Sequence, residues 1–282
     1  MIIREARKIK GTILFLLKNR IVPMFFFFVF FSSLCFAQVT QLLWEVKKSE
    51  HFNIYYRGVS VQYVDEVIKK SEACYRDITQ ELGFTRYSDF WTWDKRAKIY
   101  IFSNKDEYVK ITNQPVWSAA GTNIFTREIY GYMGMDNFFD IILPHELGHI
   151  IFREFVGNKK RLPVWLDEGI SSYLEKDYRQ DRLVVAKVLI KTASFMQIPE
   201  LGRMKRGGIF MPDIFYAEAA SIIEFLLRTY GKDKFVEFCR KLRDLRSDQK
   251  WEVALKQVYK FDSVEDLNKA WMQFLYSLTF TD

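Results

Sequence analysis

The sequence predicts an α+β fold, because strand-like segments gather between residues 51 and 133 while helical periodicity dominates from Asp140 onward. Of its 282 residues, 49% are hydrophobic and 27% charged, which excludes wholesale disorder and provides for one sizeable core. Three cysteines without a CxxC pair exclude a disulfide scaffold and a cysteine-rich zinc fold.

Taken in order, the chain opens on a basic segment with Arg4, Arg7, Lys8, Lys10, Lys18 and Arg20 against one acid, Glu5. An uncharged run, IVPMFFFFVFFSSLCFA, follows from Ile21 to Ala37 and ends in the small-x-small triplet Cys35-Phe36-Ala37. These are the parts of a secretory signal peptide, with cleavage expected between Ala37 and Gln38. The alternative is a retained N-terminal anchor with its basic flank in the cytoplasm, since 17 apolar residues lie at the lower limit for spanning a bilayer. Both readings put residues 38–282 outside the cytoplasm, periplasmic, secreted or membrane-anchored, as one continuous domain. Cys74 and Cys239 would then meet oxidising conditions, which leaves their pairing open.

The segment HFNIYY from His51 to Tyr56 is aromatic and β-branched enough for a strand. Apolar residues at helical spacing predict a helix over 61–82, closed by Gly83. AKIYIF at 97–102 reads as a second strand, and 121–133 as one or two more, broken by Gly131. Beyond Asp140 the pattern is helical, punctuated by Gly157, Pro199, Gly207-Gly208 and Pro212. Asp213 to Tyr230 forms a helix stopped by Gly231, and Ser263–Asp266 is a capping pattern that opens the last helix.

The formal charge of +7 first suggests nucleic acid or a membrane surface. Residues 1–37 carry most of that excess, and the remaining 245 hold 36 basic against 34 acidic residues. Eight of the 26 Phe leave with the same segment. The basic excess belongs to targeting, and no nucleic-acid partner is expected.

His145-Glu146-Leu147-Gly148-His149 is an HExxH motif in an apolar helical context. Residues four apart share a helix face, so His145 and His149 can aim at one ion, expected to be Zn2+. Glu146 projects about 100° further round, beside the ion, where it can take a proton from a bound water. Asp140 is the expected N-cap, and Pro144 then falls in the first turn, where its missing N–H costs least. Catalytic zinc sites use three protein ligands, and no His follows His149, so the third must be an Asp or Glu. Glu168, 19 residues after His149 in WLDEGISSYLE, is that candidate.

HExxH followed by 18 residues and this Glu resembles the gluzincin clan of metallopeptidases, especially the peptidase-MA-like group. WLDEGISSYLE is also locally similar to the M1 aminopeptidases, whose corresponding segment reads much like WLNEGFASYLE. The similarity is strong over residues 140–176 and extends loosely to 231. It implies a zincin-like α+β domain with His145, His149 and Glu168 as zinc ligands and Glu146 as general base. The aminopeptidases' GxMEN motif has only Gly134-Met135-Asp136-Asn137 as its counterpart here, too close to the helix, so endo- or exopeptidase action stays open.

The implied reaction is hydrolysis of a peptide or protein substrate. Its oxyanion needs a donor, and Tyr216 occupies the position where peptidase-MA-like sequences often carry a tyrosine; an ordinary half-buried Tyr is the alternative. Ser172 is a candidate support for the ligands, Tyr173 could pack beneath the site, and the 121–133 region could pair with an extended peptide. Two other readings compete: a catalytically inactive zinc-binding interaction protein of the same fold, and a membrane-anchored adaptor with a coincidental motif. Intact Glu146 speaks against the first, since a purely structural zinc takes four closed ligands and no base.

Overall fold

Segments from the first half of the chain build a five-stranded sheet around the apolar strands Phe52–Tyr56, Ala97–Phe102 and Glu128–Tyr132. In the computed structural model, which describes residues 44–84, 95–114, 120–157, 161–205, 209 and 211–279, these strands are β1 (Glu45–Lys48), β2 (Phe52–Tyr56), β3 (Ala97–Phe102), β4 (Gly121–Asn123) and β5 (Glu128–Tyr132). Their order is β1-β2-β3-β5-β4, with β2, β3 and β5 parallel and the outer strands β1 and β4 antiparallel to their neighbours. The two strands expected at 51–56 and 97–102 are present. Region 121–133 forms the antiparallel pair β4 and β5, joined by a turn in which Asn123 Oδ1 accepts the backbone N–H groups of Phe125 and Thr126. Gly131 does not break this region. It lies inside β5, where a Cβ would come within 2.9 Å of the Phe138 ring, so its role is close packing.

One sheet face presents Phe52, Ile54, Ile99, Ile101 and Ile129 to the main core. The other carries Tyr100, Phe102 and Tyr130, joined by Tyr108 and edged by Trp44. Tyr55, Tyr100 and Tyr130 are paired in register across β2, β3 and β5 and stack at 4.7 and 5.0 Å. Two short elements went unforeseen: β1 and α2 (Lys105–Thr112), the latter capped by Asn104, which accepts Glu107 N–H. Before it, α1 (Val61–Leu82) takes the expected span, with Ser60 as N-cap and Gly83 in the left-handed region at φ 76°.

The second half is helical: α3 (Leu143–Val156), α4 (Val164–Tyr173), α5 (Lys176–Lys191), α6 (Ile198–Leu201), α7 (Pro212–Asp244), α8 (Trp251–Tyr259) and α9 (Val264–Ser277). The fold is therefore α+β, as expected. Gly231, at φ 81° and ψ 163°, leaves the helical region and ends the helix begun at Pro212, as expected; α7 is thus two helices joined across a kink, the second running to Asp244. Ser263 caps α9 by accepting Asp266 N–H at 3.1 Å. Asp140 does not cap α3. One π-helical turn, Phe138–Ile142, feeds straight into that helix, so no extended cap residue intervenes. Asp140 instead faces outward, 4.0 Å from Lys70.

Residues 1–37, with the expected signal or anchor, and Gly207-Gly208 lie outside the described residues. Among the described residues no helix is long and apolar enough to cross a membrane. Cys74 and Cys239 are free thiols, so the disulfide left open by the sequence does not form.

Candidate metal centre

Three helices assemble the site, and glycine lets them approach. Pro144 opens α3, Gly157 at φ 97° closes it, and between them His145, Glu146 and His149 are all buried. A Cβ on Gly148 would lie 3.2 Å from the Ser171 Cα of α4 and 2.7 Å from Leu174. A Cβ on Gly169 would lie 2.6 Å from the backbone oxygen of Ala219 in α7. α4 is thus clamped between α3 and α7, which holds Glu168 opposite the histidine pair.

His145 and His149 Nε2 are 3.2 Å apart, and Glu168 Oε2 lies 3.6 Å from the first and 3.4 Å from the second. Tetrahedral zinc with bonds of about 2.0–2.1 Å holds its donors about 3.3–3.5 Å apart. Two imidazole nitrogens and one carboxylate oxygen at that spacing, all buried, fit a zinc-type ion.

Both imidazoles are oriented from behind. His145 Nδ1 meets Glu175 Oε1 at 2.6 Å, and Glu175 Oε2 accepts from Arg182 at 2.6 Å. His149 Nδ1 meets Asp167 Oδ1 at 3.2 Å, and Asp167 Oδ2 accepts from Arg153 at 2.9 Å. A carboxylate on Nδ1 fixes the tautomer that leaves Nε2 available to a metal and makes that nitrogen more basic. The sequence reading missed all four supporting residues; Asp167 and Glu175 stand in WLDEGISSYLE itself, but their partners come from other turns and helices.

The cluster favours positive charge. Burial pulls the His145 imidazole down, yet hydrogen bonds to Glu168 and Glu175 outweigh it and raise it to about 10. His149 is also raised, with burial opposed by Glu168 and Asp167. Burial pushes the Glu146 carboxyl up, against the pull of the two imidazoles and Thr122. Burial would also raise Glu175, but Arg182 and His145 hold it below the usual carboxylate range.

Glu146 Oε2 accepts a hydrogen bond from Thr122 of β4, while its buried Oε1 has no hydrogen-bond partner among the described residues. Tyr216 is half-buried with its ring edge-on to His145, centroids 6.1 Å apart. Ser172 does not support the ligands through its side chain. Its buried hydroxyl makes no hydrogen bond among the described residues, and only its carbonyl takes part, accepting from Arg182. Tyr173 is engaged elsewhere, with Arg179 lying over its ring at 3.8 Å and donating to its carbonyl. His51 stands apart from the site, sharing Nδ1 with Glu72 at 2.7 Å.

A family model described as the Peptidase MA superfamily matches residues 94–277, which takes in the whole cluster from Thr122 to Tyr216. No curated protein matches the chain.

Proposed function

The chain belongs to the Peptidase MA superfamily and so to a peptidase-type class of enzyme, and on that premise we propose a zinc-dependent peptidase of gluzincin type with Glu146 as general base. The observation that carries this reading is the triangle of His145, His149 and Glu168 donors, 3.2–3.6 Å on its sides, with the buried carboxyl of Glu146 beside it. Bound zinc would supply a water of lowered pKa and polarise the scissile carbonyl.

The protein's own groups do the rest. Glu146 takes a proton from the attacking water through Oε1 and returns it to the leaving amine. Tyr216 donates a hydrogen bond from its phenolic O–H to the oxyanion of the attacked carbonyl. Among the described residues the outer edge of β4 has no strand beside it, so an extended peptide can pair there with the backbone. Burial of the centre strengthens each of these interactions by excluding water.

A peptide-library digest comparing wild type with Glu146→Gln tests the proposal, alongside metal analysis of the dialysed protein. We expect one zinc per chain in both proteins. Glu146→Gln should lose activity by ~10²–10⁴, the usual worth of a general base. Full activity in that variant would refute the assigned base, and wild type without bound zinc would refute the metal. Export completes the proposal: N-terminal sequencing of exported protein should begin near Gln38, whereas an intact Met1 would favour the anchor.

A further inference from the structure

Glu146 reaches the centre from a helix, but one of its oxygens is held from the sheet. Thr122 of β4 donates its hydroxyl to Glu146 Oε2 across 24 residues of sequence. Oε1 of the same carboxyl is buried and has no hydrogen-bond partner among the described residues. The residue is 1% exposed, so bulk water does not compete for either oxygen. Thr122 itself is well anchored. It pairs in register with Ile129 of β5, which is fully buried in the main core, and its β-branched side chain has few rotamers in a strand.

We propose that Thr122 is a positioning residue for Glu146: its hydroxyl holds Oε2 and fixes the carboxyl plane, so that Oε1 is the oxygen presented to the reacting water. The proposal rests on Glu146 being the general base. A neutral hydroxyl suits this role, because it orients the carboxylate without cancelling its charge. A Lys or Arg at this position would form an ion pair and draw the carboxylate away from the proton it must take. Holding a reacting group in its working geometry lowers the barrier to the chemical step, so the effect belongs in kcat rather than in substrate binding.

Thr122→Val keeps the shape and removes the hydroxyl, Thr122→Ser keeps the hydroxyl, and Thr122→Ala is a second hydroxyl-free variant should valine fold poorly. On the zinc-loaded protein, kcat for a peptide found in the library digest should fall about 10–100-fold in the valine and alanine variants, the usual cost of losing such a supporting group. KM and zinc content should stay near wild type, and serine should recover most of the rate. A second readout is independent of turnover. Infrared difference spectra against Glu146→Gln identify the Glu146 carboxylate band, which should shift in the valine variant and not in the serine variant.

An unmoved band, an unchanged kcat in both hydroxyl-free variants, or a serine variant as slow as valine overturns the proposal. Wild-type activity that needs Glu146 but is indifferent to the Thr122 hydroxyl would leave the peptidase reading standing and remove only this one. A shifted band in a protein that cleaves no peptide would support the contact but refute the hydrolytic reading, and the proposed positioning role would fall with it.

Discussion

At the scale of single residues, the centre is defined as much by what lies behind the histidines as by the histidines. Glu175 and Asp167 both reach an Nδ1, but at 2.6 and 3.2 Å respectively, and both are backed by an arginine. The shorter contact orients its ring more firmly. Glu175→Gln removes the negative charge from that contact and leaves Arg182 facing a neutral group. Zinc affinity should fall by roughly 10–100-fold, and by less for Asp167→Asn; competition titration against a zinc chelator measures both. Equal affinities in all three proteins would show that the carboxylates do not tune the site. His145, Glu146 and His149 could be read from the sequence because their spacing is a local consequence of helix geometry, and Glu168 because a third, acidic ligand was needed and its segment resembles that of the gluzincins. Thr122, Arg153 and Arg182 could not, since nothing in their own neighbourhoods marks them before the helices and sheet are packed.

At the scale of elements, the position of Glu168 depends on how closely α4 can sit between its neighbours. Gly169→Ala puts a methyl 2.6 Å from a carbonyl oxygen of α7, which is backbone and cannot swing aside as a side-chain tip would. Overpacking of this kind costs about 1–3 kcal/mol, of which alanine's better helix propensity recovers at most about 1 kcal/mol. Gly169→Ala should therefore lower the melting temperature and weaken zinc binding together. Gly202→Ala, where the nearest atom would be 3.4 Å away, is the matched control and should do neither. An unaltered zinc affinity in Gly169→Ala would mean that the helix contact does not set the ligand's position. The main helices and the strands β2 and β3 could be anticipated from periodicity. α2 carried a signal, Asn104 three residues before Glu107, whereas β1 is short and polar and becomes a strand by pairing with β2.

At the scale of the whole molecule, stability should carry the mark of a buried acid that the proposed chemistry does not use. Glu218 of α7 is fully buried, accepts Met196 N–H at 2.9 Å through one oxygen, and has no hydrogen-bond partner for the other among the described residues. Burial pushes its carboxyl up to about 8. The folded protein then binds a proton that the unfolded chain releases above its ordinary value of 4.5, so this group's contribution to stability falls as pH rises from about 5 to about 8. Glu218→Gln should gain on wild type over that window, by on the order of a few kcal/mol at its upper end. Thermal melts of both proteins across the window check it, and parallel curves would refute the assignment. By itself, the sequence determined the fold class, the helix that carries HExxH and the chemistry of the ligand set, because helical period and side-chain type are local properties. Tertiary structure alone decided that Glu168 closes a 3.2–3.6 Å triangle of donors, that two arginine-backed carboxylates orient the imidazoles, and that a strand hydroxyl meets the base. Each of those contacts joins residues from separate elements, and their distances are set by packing glycines and buried surfaces that no local pattern encodes.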